Sequence, residues 1–377
     1  MNIRNLKSCE LKEASNLINE VFRFDRNEKP TMTQEFPLLL NENNIKRSVG
    51  LFVDSKLVSI ANNVVLDIHL PNTLLKGAFV GAVCTHKDYE SNGYSSKVLD
   101  VVESNLKKEK IDFVSISGTR TLYTRRKLIK ANSFYEYKLV DKKKYFDLPN
   151  HKLIDFDDEY LEEILASYNQ NSTRFKRTKK ELEILLDSAT TPLRNYSYKK
   201  FIIVDKNNMY KGYIIIRLIN DNGKTHAKVI ESCGVNLLIN LFLYQILVKY
   251  DLEYINYFAH SKDYNNLLSS YEEKKITNIG GTIKIVDYIS LMNKLRNYFG
   301  SLFDFSDELE FDFKEENYYI RCFGEEIKIN GIDNITRLVF EGANDDLINN
   351  IKNKKLKRFI EKSFPIPFVS TEGLNYQ

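Results

Sequence analysis

Between Leu11 and Phe22 the apolar side chains of Leu11, Ala14, Leu17, Ile18, Val21 and Phe22 recur at the spacing of one helix face. The period then shortens. "VGLFVDSKLVSIANNVVLDIHL" (49–70) reads as two strands joined at Asp54-Ser55, and a further strand leads to Cys84. From about Ser95 to Lys108 the helical period returns, with Val98, Leu99, Val102 and Leu106 on one face. "IDFVSISG" predicts a strand, "TLYTRRKLIKA" a short helix, and "FYEYKLV" the strand that closes the sheet. Helix, antiparallel strands, strand, helix, strand, helix, strand is the order of a mixed α/β sheet in about 145 residues.

The charged, proline-containing segment "DKKKYFDLPNHK" separates this block from a second one built alike. Helices are expected around 157–187, strands at "YKKFIIVDK", "MYKGYIIIRLI" and "KTHAKVIES", a helix from 235, the strand "LEYINYFA" and another helix after it. From about 285 the pattern predicts a small α+β module. It has the helix "YISLMNKLRNYF", strands "ELEFDFKE", "NYYIRCFGEEIKIN" and "RLVFEG", and helices "DDLINNIKN" and "LKRFIEKSF". The expected domains are 1–148, 149–284 and 285–377, consistent with 377 residues exceeding what one hydrophobic core serves.

Composition narrows the function classes. Apolar residues at 43% and aromatics at 12% supply ample core, so disorder is excluded as the reading. With 55 Lys and Arg interleaved among 51 acidic residues, the net charge of +4 does not imply nucleic acid. Cys9, Cys84, Cys233 and Cys322 lie far apart without a CxxC pair, which points to reduced thiols in the cytoplasm and to no metal. The charged N-terminus shows no secretory pattern, and the greasiest stretch, Val235 to Tyr250, is too short to span a membrane and reads as a core helix.

The stretch that carries chemistry is "VGAVCTHKDYESNGYSSKVLD" (80–100), where a buried strand meets a helix at Asn92-Gly93. Asn-Gly is a hairpin signal, but a helical period follows it rather than a returning strand. The first amides of a helix lack intrahelical partners and sit at the positive end of its dipole, so a tight turn there can hold a diphosphate. Gly93 allows close approach, and Ser95 and Ser96 are small enough to add hydroxyl donors.

Strand, Arg/Gln-x-x-Gly-x-Gly/Ala, helix is the acetyl-CoA motif of the GCN5-related N-acetyltransferases (GNAT), and Glu90-Ser91-Asn92-Gly93-Tyr94-Ser95 resembles it. Glu90 stands where that family has Arg or Gln, and Ser95 where it has Gly or Ala. The whole chain is similar to the enhanced intracellular survival (Eis) type of acetyltransferase: tandem GNAT folds, each a mixed, mostly antiparallel sheet flanked by helices, the second lacking the cofactor turn, then a small sterol carrier protein-like α+β domain. The resemblance implies that the backbone of Ala82, Val83, Cys84 and Thr85 pairs with the pantetheine arm of acetyl-CoA. The turn Ser91, Asn92, Gly93, Tyr94, Ser95 and Ser96 would then hold the diphosphate. It further implies that Tyr123, after the fifth strand, protonates the departing thiolate and that the terminal carboxylate of Gln377 is the general base. Members of that family assemble into symmetric oligomers, so a homo-oligomer is expected as well.

General acid and base fit the reaction, since an ammonium cannot attack a thioester and a thiolate leaves more readily when protonated. Asp25 and Glu35, in "VFRFDRNEKP" and "MTQEFPLLL", are candidate anchors for a cationic acceptor, set against plain loop solvation. His69 and His86 are solitary and read as hydrogen-bonded structural residues, and Cys84 as a small core hydrophobe rather than an acyl carrier. The expected function is acetyl transfer from acetyl-CoA to an unidentified amine in a ternary complex. The alternative is a non-catalytic acyl-CoA-binding or scaffold protein whose cofactor turn Glu90 has eroded.

Overall fold

The computed structural model describes residues 1–145, 147–189, 196–262 and 273–375. They form two compact units, one of residues 1–133 and 278–371 and one of residues 134–277 and 372–375.

The first unit begins β1 (Asn2–Asn5), α1 (Leu11–Phe22), α2 (Met32–Glu35), β2 (Val49–Val53), β3 (Lys56–Leu70), β4 (Thr73–Thr85), α3 (Tyr94–Lys108), β5 (Phe113–Ile116) and α4 (Thr121–Thr124). The strands lie in the order β1-β2-β3-β4-β5, antiparallel except for the β4–β5 pair. Burial follows the pattern of the sequence. Val98, Leu99, Val102 and Leu106 of α3 join Val49, Leu51, Val58, Ala78, Val80 and Val83 in one core. Each Val or Leu among them contributes about 1.5–3 kcal/mol when removed from water.

The second unit contains β6 (Phe134–Leu139), β7 (His151–Asp155), α5 (Leu161–Asn169), β8 (Arg174–Phe175), α6 (Lys179–Ser188), β9 (Tyr196–Asp205), β10 (Tyr210–Asp221), β11 (Lys224–Gly234), α7 (Asn236–Lys249), β12 (Ile255–His260) and β13 (Glu273–Thr277). Its sheet runs β13-β6-β12-β11-β10-β9-β7, again with one parallel pair, β11–β12. α7 buries residues all round, from Leu238 to Leu247, as its uniformly apolar sequence predicts. The helix expected after Ala259 falls largely on residues 263–272, outside the described residues.

The last stretch returns to the first unit as β14 (Thr282–Ile285), α8 (Tyr288–Gly300), β15 (Glu310–Lys314), β16 (Asn317–Cys322), β17 (Glu325–Asn330), α9 (Ile332–Glu341), α10 (Asp345–Asn350) and α11 (Lys354–Ser363). β14 pairs antiparallel with β5 and completes the first sheet, whereas β6, the "FYEYKLV" strand expected there, pairs with β12 and β13 in the second sheet. Alternation specifies which face of a strand is buried, not which neighbour it finds.

Within this stretch "RLVFEG" is a helix rather than a strand. Ile335, Leu338 and Val339 recur at helical spacing in α9, and Gly331 and Gly342, both with positive φ, bound it. β15-β16-β17 form a small antiparallel sheet, and the rings of Phe299, Phe359 and Phe364 stack edge-on beside it. The stretch is locked to β4 and β5 inside its own unit. Fully buried Asp112 accepts from the Lys76 amide at 2.7 Å and pairs with Lys294 at 2.8 Å through both oxygens, and Thr73 Oγ1 donates to the Lys294 carbonyl at 2.8 Å.

Candidate active site

Parallel pairing of β4 with β5 runs from Gly77↔Phe113 to Val80↔Ile116 and stops, while β4 continues to Thr85. The strands part at a bulge. Ala82 adopts φ +47°, and the register of β3 against β4 shifts between Ile60 and Asn62. A bulge takes a carbonyl off the ladder, and here buried Asn62 repairs the loss: its Nδ2 donates to the Ala82 carbonyl at 3.1 Å while its Oδ1 accepts from Ser48 Oγ at 2.8 Å. The β5-facing edge of Ala82, Val83, Cys84 and Thr85 therefore extends past the end of its partner strand.

The chain then turns. His86 Nδ1 accepts the Asp88 amide at 3.2 Å, and its Nε2 lies 3.4 Å from Glu20 and 3.5 Å from Lys56 Nζ. Asn92 Nδ2 donates to the carbonyls of Tyr89 and Glu90, both at 3.1 Å. Ser91 and Gly93 both have positive φ, +63° and +70°, and a side chain on Gly93 would meet nothing within 4 Å. Gly93 is the N-cap of α3, no side chain caps the helix, and no acidic residue occupies its first turn. Open space over uncapped amides is what a tetrahedral anion requires.

Three hydroxyls tie this turn to the strand. Ser59 Oγ donates to the Cys84 carbonyl at 3.1 Å and lies 2.8 Å from Thr85 Oγ1, which lies 2.8 Å from Ser95 Oγ. In the Ser59–Thr85 and Thr85–Ser95 pairs either hydroxyl can be the donor. Farther along α3, Arg126 donates to the Ser96 carbonyl at 2.6 Å and pairs with Asp100 at 2.6 Å and Glu103 at 2.9 Å.

A cleft of about 470 Å³ joins these parts, lined by Val83 to Thr85, by Tyr89 to Ser91 and Gly93 to Ser96, and by Val21, Phe22, Arg120 and Leu122. Its charged lining residues are Glu90 and Arg120. Tyr123, in α4, is 3% exposed and packs in the same core as Val83 and Val98. Burial pushes its phenol above the ordinary value, and the positive charge of Arg120 opposes that rise. Burial pushes the Cys84 thiol up as well, so it stays protonated and unreactive.

The structure thus gathers Ala82, Val83, Cys84, Thr85, Ser91, Asn92, Gly93, Tyr94, Ser95 and Ser96 on one strand end and turn, with Tyr123 close by. Asp25 and Glu35 are not among the cleft's lining residues. Glu35 is held by Arg23, whose Nη2 lies 2.5 Å from its Oε2, and by Thr31. Gln377 lies outside the described residues, but Asn375 is buried and accepts from Arg177 Nε at 2.6 Å. Arg177 in turn forms two bonds to Glu231, at 2.8 and 2.7 Å. Arg120, Asn62 and Ser59 are the site residues that sequence reasoning missed. Only "ANN" inside an apolar run signals one of them, as a buried polar group that needs a partner.

Residues 2–127 match the family model described as an acetyltransferase (GNAT) domain. No curated protein sequence matches the chain. Among solved structures, a GCN5-related N-acetyltransferase from Anabaena variabilis is 9% identical and aligns over 99% of this chain and 98% of its own with a TM-score of 0.65. A conserved Enterococcus faecalis V583 protein of unknown function, described as a probable N-acyltransferase, is 14% identical over 98% and 97% with a TM-score of 0.65. Eis1 from Mycobacterium abscessus is 13% identical over 96% of each chain with a TM-score of 0.59. The fold is shared with these structures, and the match over residues 2–127 supports acyl transfer in general terms.

Proposed function

We propose that the chain is an N-acetyltransferase that moves the acetyl group of acetyl-CoA to a primary amine by direct attack in a ternary complex. The single observation that carries the reading is the β4 edge parted from β5 and followed, after the turn through residues 86–92, by the open, uncapped helix start at Gly93. A pantetheine arm can pair with such an edge as an added strand would, and a diphosphate can take the amides of the turn. The sequence match over residues 2–127 and the N-acetyltransferase descriptions of the similar structures support the same reaction.

In this reading the backbone of 82–85 aligns the thioester and residues 91–96 hold the phosphates. Tyr123 gives its O–H proton to the sulfur as the C–S bond breaks, and the terminal carboxylate of Gln377 takes a proton from the amine as the C–N bond forms. Both protein groups return to their starting states by exchange with water, so the sum is acetyl-CoA plus amine to amide plus CoA thiol. Asp25 and Glu35 stay weak candidates for an acceptor contact. A sterol carrier-like role for the C-terminal module, homo-oligomer assembly and a cytoplasmic location belong to the same proposal. Among the described residues no helix is long and apolar enough to cross a membrane.

One observation favours the second reading, a non-catalytic acyl-CoA-binding protein: Glu90 lines the cleft and sets negative charge where phosphates would lie. Isothermal titration with acetyl-CoA tests the binding common to both, and no heat at millimolar ligand would remove both. Thiol release with a polyamine, an aminoglycoside and a lysine peptide separates them, since the scaffold reading expects none.

A further inference from the structure

Resting on the reading of the terminal carboxylate of Gln377 as general base, we infer that Arg177 is its positioning residue. With two nitrogens committed to Glu231, the guanidinium aims its third at Asn375 and seats the terminal segment two residues before the carboxylate. Residues 372–375 belong to the second unit, as do all the groups that hold them.

The seat is built on one strand. β11 pairs parallel with β12 at Ala227↔Ile255 and Lys228↔Asn256, and runs on to Gly234. Its register against β10 shifts between Ile215 and Ile216, which face Glu231 and Val229, so Ile230 is the extra residue of a bulge. Lys228 and Glu231 therefore stand opposite Arg217 and Ile215, two positions apart, and share one face of the sheet. Without the bulge they would point to opposite faces. Both hold the terminal segment: Lys228 Nζ pairs with Glu372, and Glu231 holds Arg177, whose Nε donates to Asn375 Oδ1 at 2.6 Å.

The guanidinium makes this tie directional. Its terminal nitrogens meet the two oxygens of Glu231 at 2.8 and 2.7 Å, Tyr213 O–H donates to the same carboxylate at 2.8 Å, and the charge lies 4.1 Å over the Tyr168 ring. A planar fork held on these sides cannot turn, so the direction of its Nε–H is fixed. The Arg177 side chain is 1% exposed and Asn375 3%, so the bond is made out of water, where a donor without an acceptor is most costly. Glu231 balances the charge, which lets the third donor take a neutral amide oxygen.

An extended chain gains at most about 3.5 Å per residue, so a fixed Asn375 confines a carboxylate two residues on to a small volume. A base must stand within hydrogen-bond reach of the proton it takes, and a misplacement of about 1 Å is enough to slow the step. Arg177 thus acts on turnover and not on acetyl-CoA binding.

The test uses the full chain and two mild variants, because Arg177→Met would leave Glu231 buried and unpaired and so endanger the fold. Asn375→Leu keeps the shape and removes the acceptor; Arg177→Lys keeps a cation for Glu231 and loses the fixed third donor. Carboxypeptidase Y, read by mass spectrometry, follows release of residues 374 and 375, which requires the seat to open. Both variants are expected to speed that release by roughly tenfold or more. Thiol release from acetyl-CoA, with the fastest acceptor among a polyamine, an aminoglycoside and a lysine peptide, should show kcat lowered by roughly tenfold and the KM for acetyl-CoA within about threefold of wild type. Unchanged release of the terminal residues in both variants would overturn the seat. Faster release with wild-type kcat would overturn the positioning role, because a merely structural tie moves the first readout and not the second. The carboxypeptidase readout needs neither cofactor nor acceptor. Loosening of the segment in a chain whose wild type turns nothing over would therefore end the acetyl-transfer reading, and the positioning role with it, while the seat stands.

Discussion

The Ser95 hydroxyl lies 2.8 Å from that of Thr85, a contact that pins the first turn of α3 to the last residue of β4. Thr85 also lies 2.8 Å from the Ser59 hydroxyl, and Ser59 donates to the Cys84 carbonyl, so three side chains tie the uncapped start of α3 to β3 and β4. Replacing Thr85 by Val keeps the volume and removes the middle of the relay. A lost buried hydrogen bond that leaves a partner unsatisfied costs about 1–3 kcal/mol. Thr85→Val should therefore weaken acetyl-CoA binding by roughly tenfold or more in isothermal titration, and Thr85→Ser should bind nearly as wild type. Equal affinity in Thr85→Val would show that the relay does not set the seat.

Tyr123 sits in the core with Val83 and Val98, and phenylalanine differs from it only by the hydroxyl, so the substitution keeps the ring packing. Tyr123→Phe is expected to keep the wild-type Kd for acetyl-CoA and to lower kcat by about 10²–10⁴. Deleting Gln377 moves the terminal carboxylate back by one residue and should lower kcat similarly, with unchanged thermal stability. Steady-state thiol release measures both. Full turnover in Tyr123→Phe would end its role as acid, and full turnover in the truncated chain would end the carboxylate's role as base.

Much of this site could be read from residue order. The change of period across Asn92-Gly93 predicts a strand-to-helix turn, and Gly93 indeed caps α3 with φ +70°. The bulge at Ala82 could not be read, because Ala82 is an ordinary strand residue and its conformation is imposed by Asn62 from another strand. Arg120 was equally silent: it gains meaning only once the N-cap of α4 puts it in the cleft lining. The exchange of β6 and β14 between sheets was hidden for a simpler reason. Both are short alternating strands, and edge partners are chosen by tertiary packing that period cannot encode. "RLVFEG" misled because three consecutive apolar residues fit either element, and only the flanking glycines at 331 and 342 decide for the helix.

His260 ends β12 with 2% exposure, its ring edge-on to Phe134 at 5.0 Å. Nδ1 accepts the Lys262 amide at 3.1 Å, and Nε2 has no hydrogen-bond partner among the described residues. Burial, helped by the Lys262 charge, lowers its pKa to about 3. The unfolded chain, with an ordinary imidazole near 6.5, binds the proton first, so the neutral ring's contribution is fully present above about pH 6.5 and is lost as pH falls toward 3. Between pH 6.5 and 5 this group alone should remove about 2 kcal/mol of stability. Urea unfolding at the two pH values checks it. His260→Phe should flatten the difference by that amount, and an unchanged pH slope in the variant would refute the assignment.

Gly77 lies opposite Phe113 in the parallel β4–β5 pair, where a methyl group on residue 77 would stand 2.3 Å from the ring's Cζ. The ring has no room to retreat: it meets Phe79 at 6.0 Å, Phe340 at 5.6 Å and Phe368 at 5.3 Å, each edge-on. Overpacking of this kind costs about 1–3 kcal/mol. Gly77→Ala should accordingly lower the urea midpoint without changing the m-value. Phe113→Leu on the same background should recover part of the loss, since the smaller side chain yields the space. The position also lies three residues before the point where β4 leaves β5, so any relief taken by shifting β5 would move Ile116 and the start of the cleft. Gly77→Ala is thus expected to weaken acetyl-CoA binding in proportion to how far β5 moves, and Phe113→Leu to restore it. Wild-type stability in Gly77→Ala would mean that the Phe113 cluster is far looser than its four interlocked rings imply.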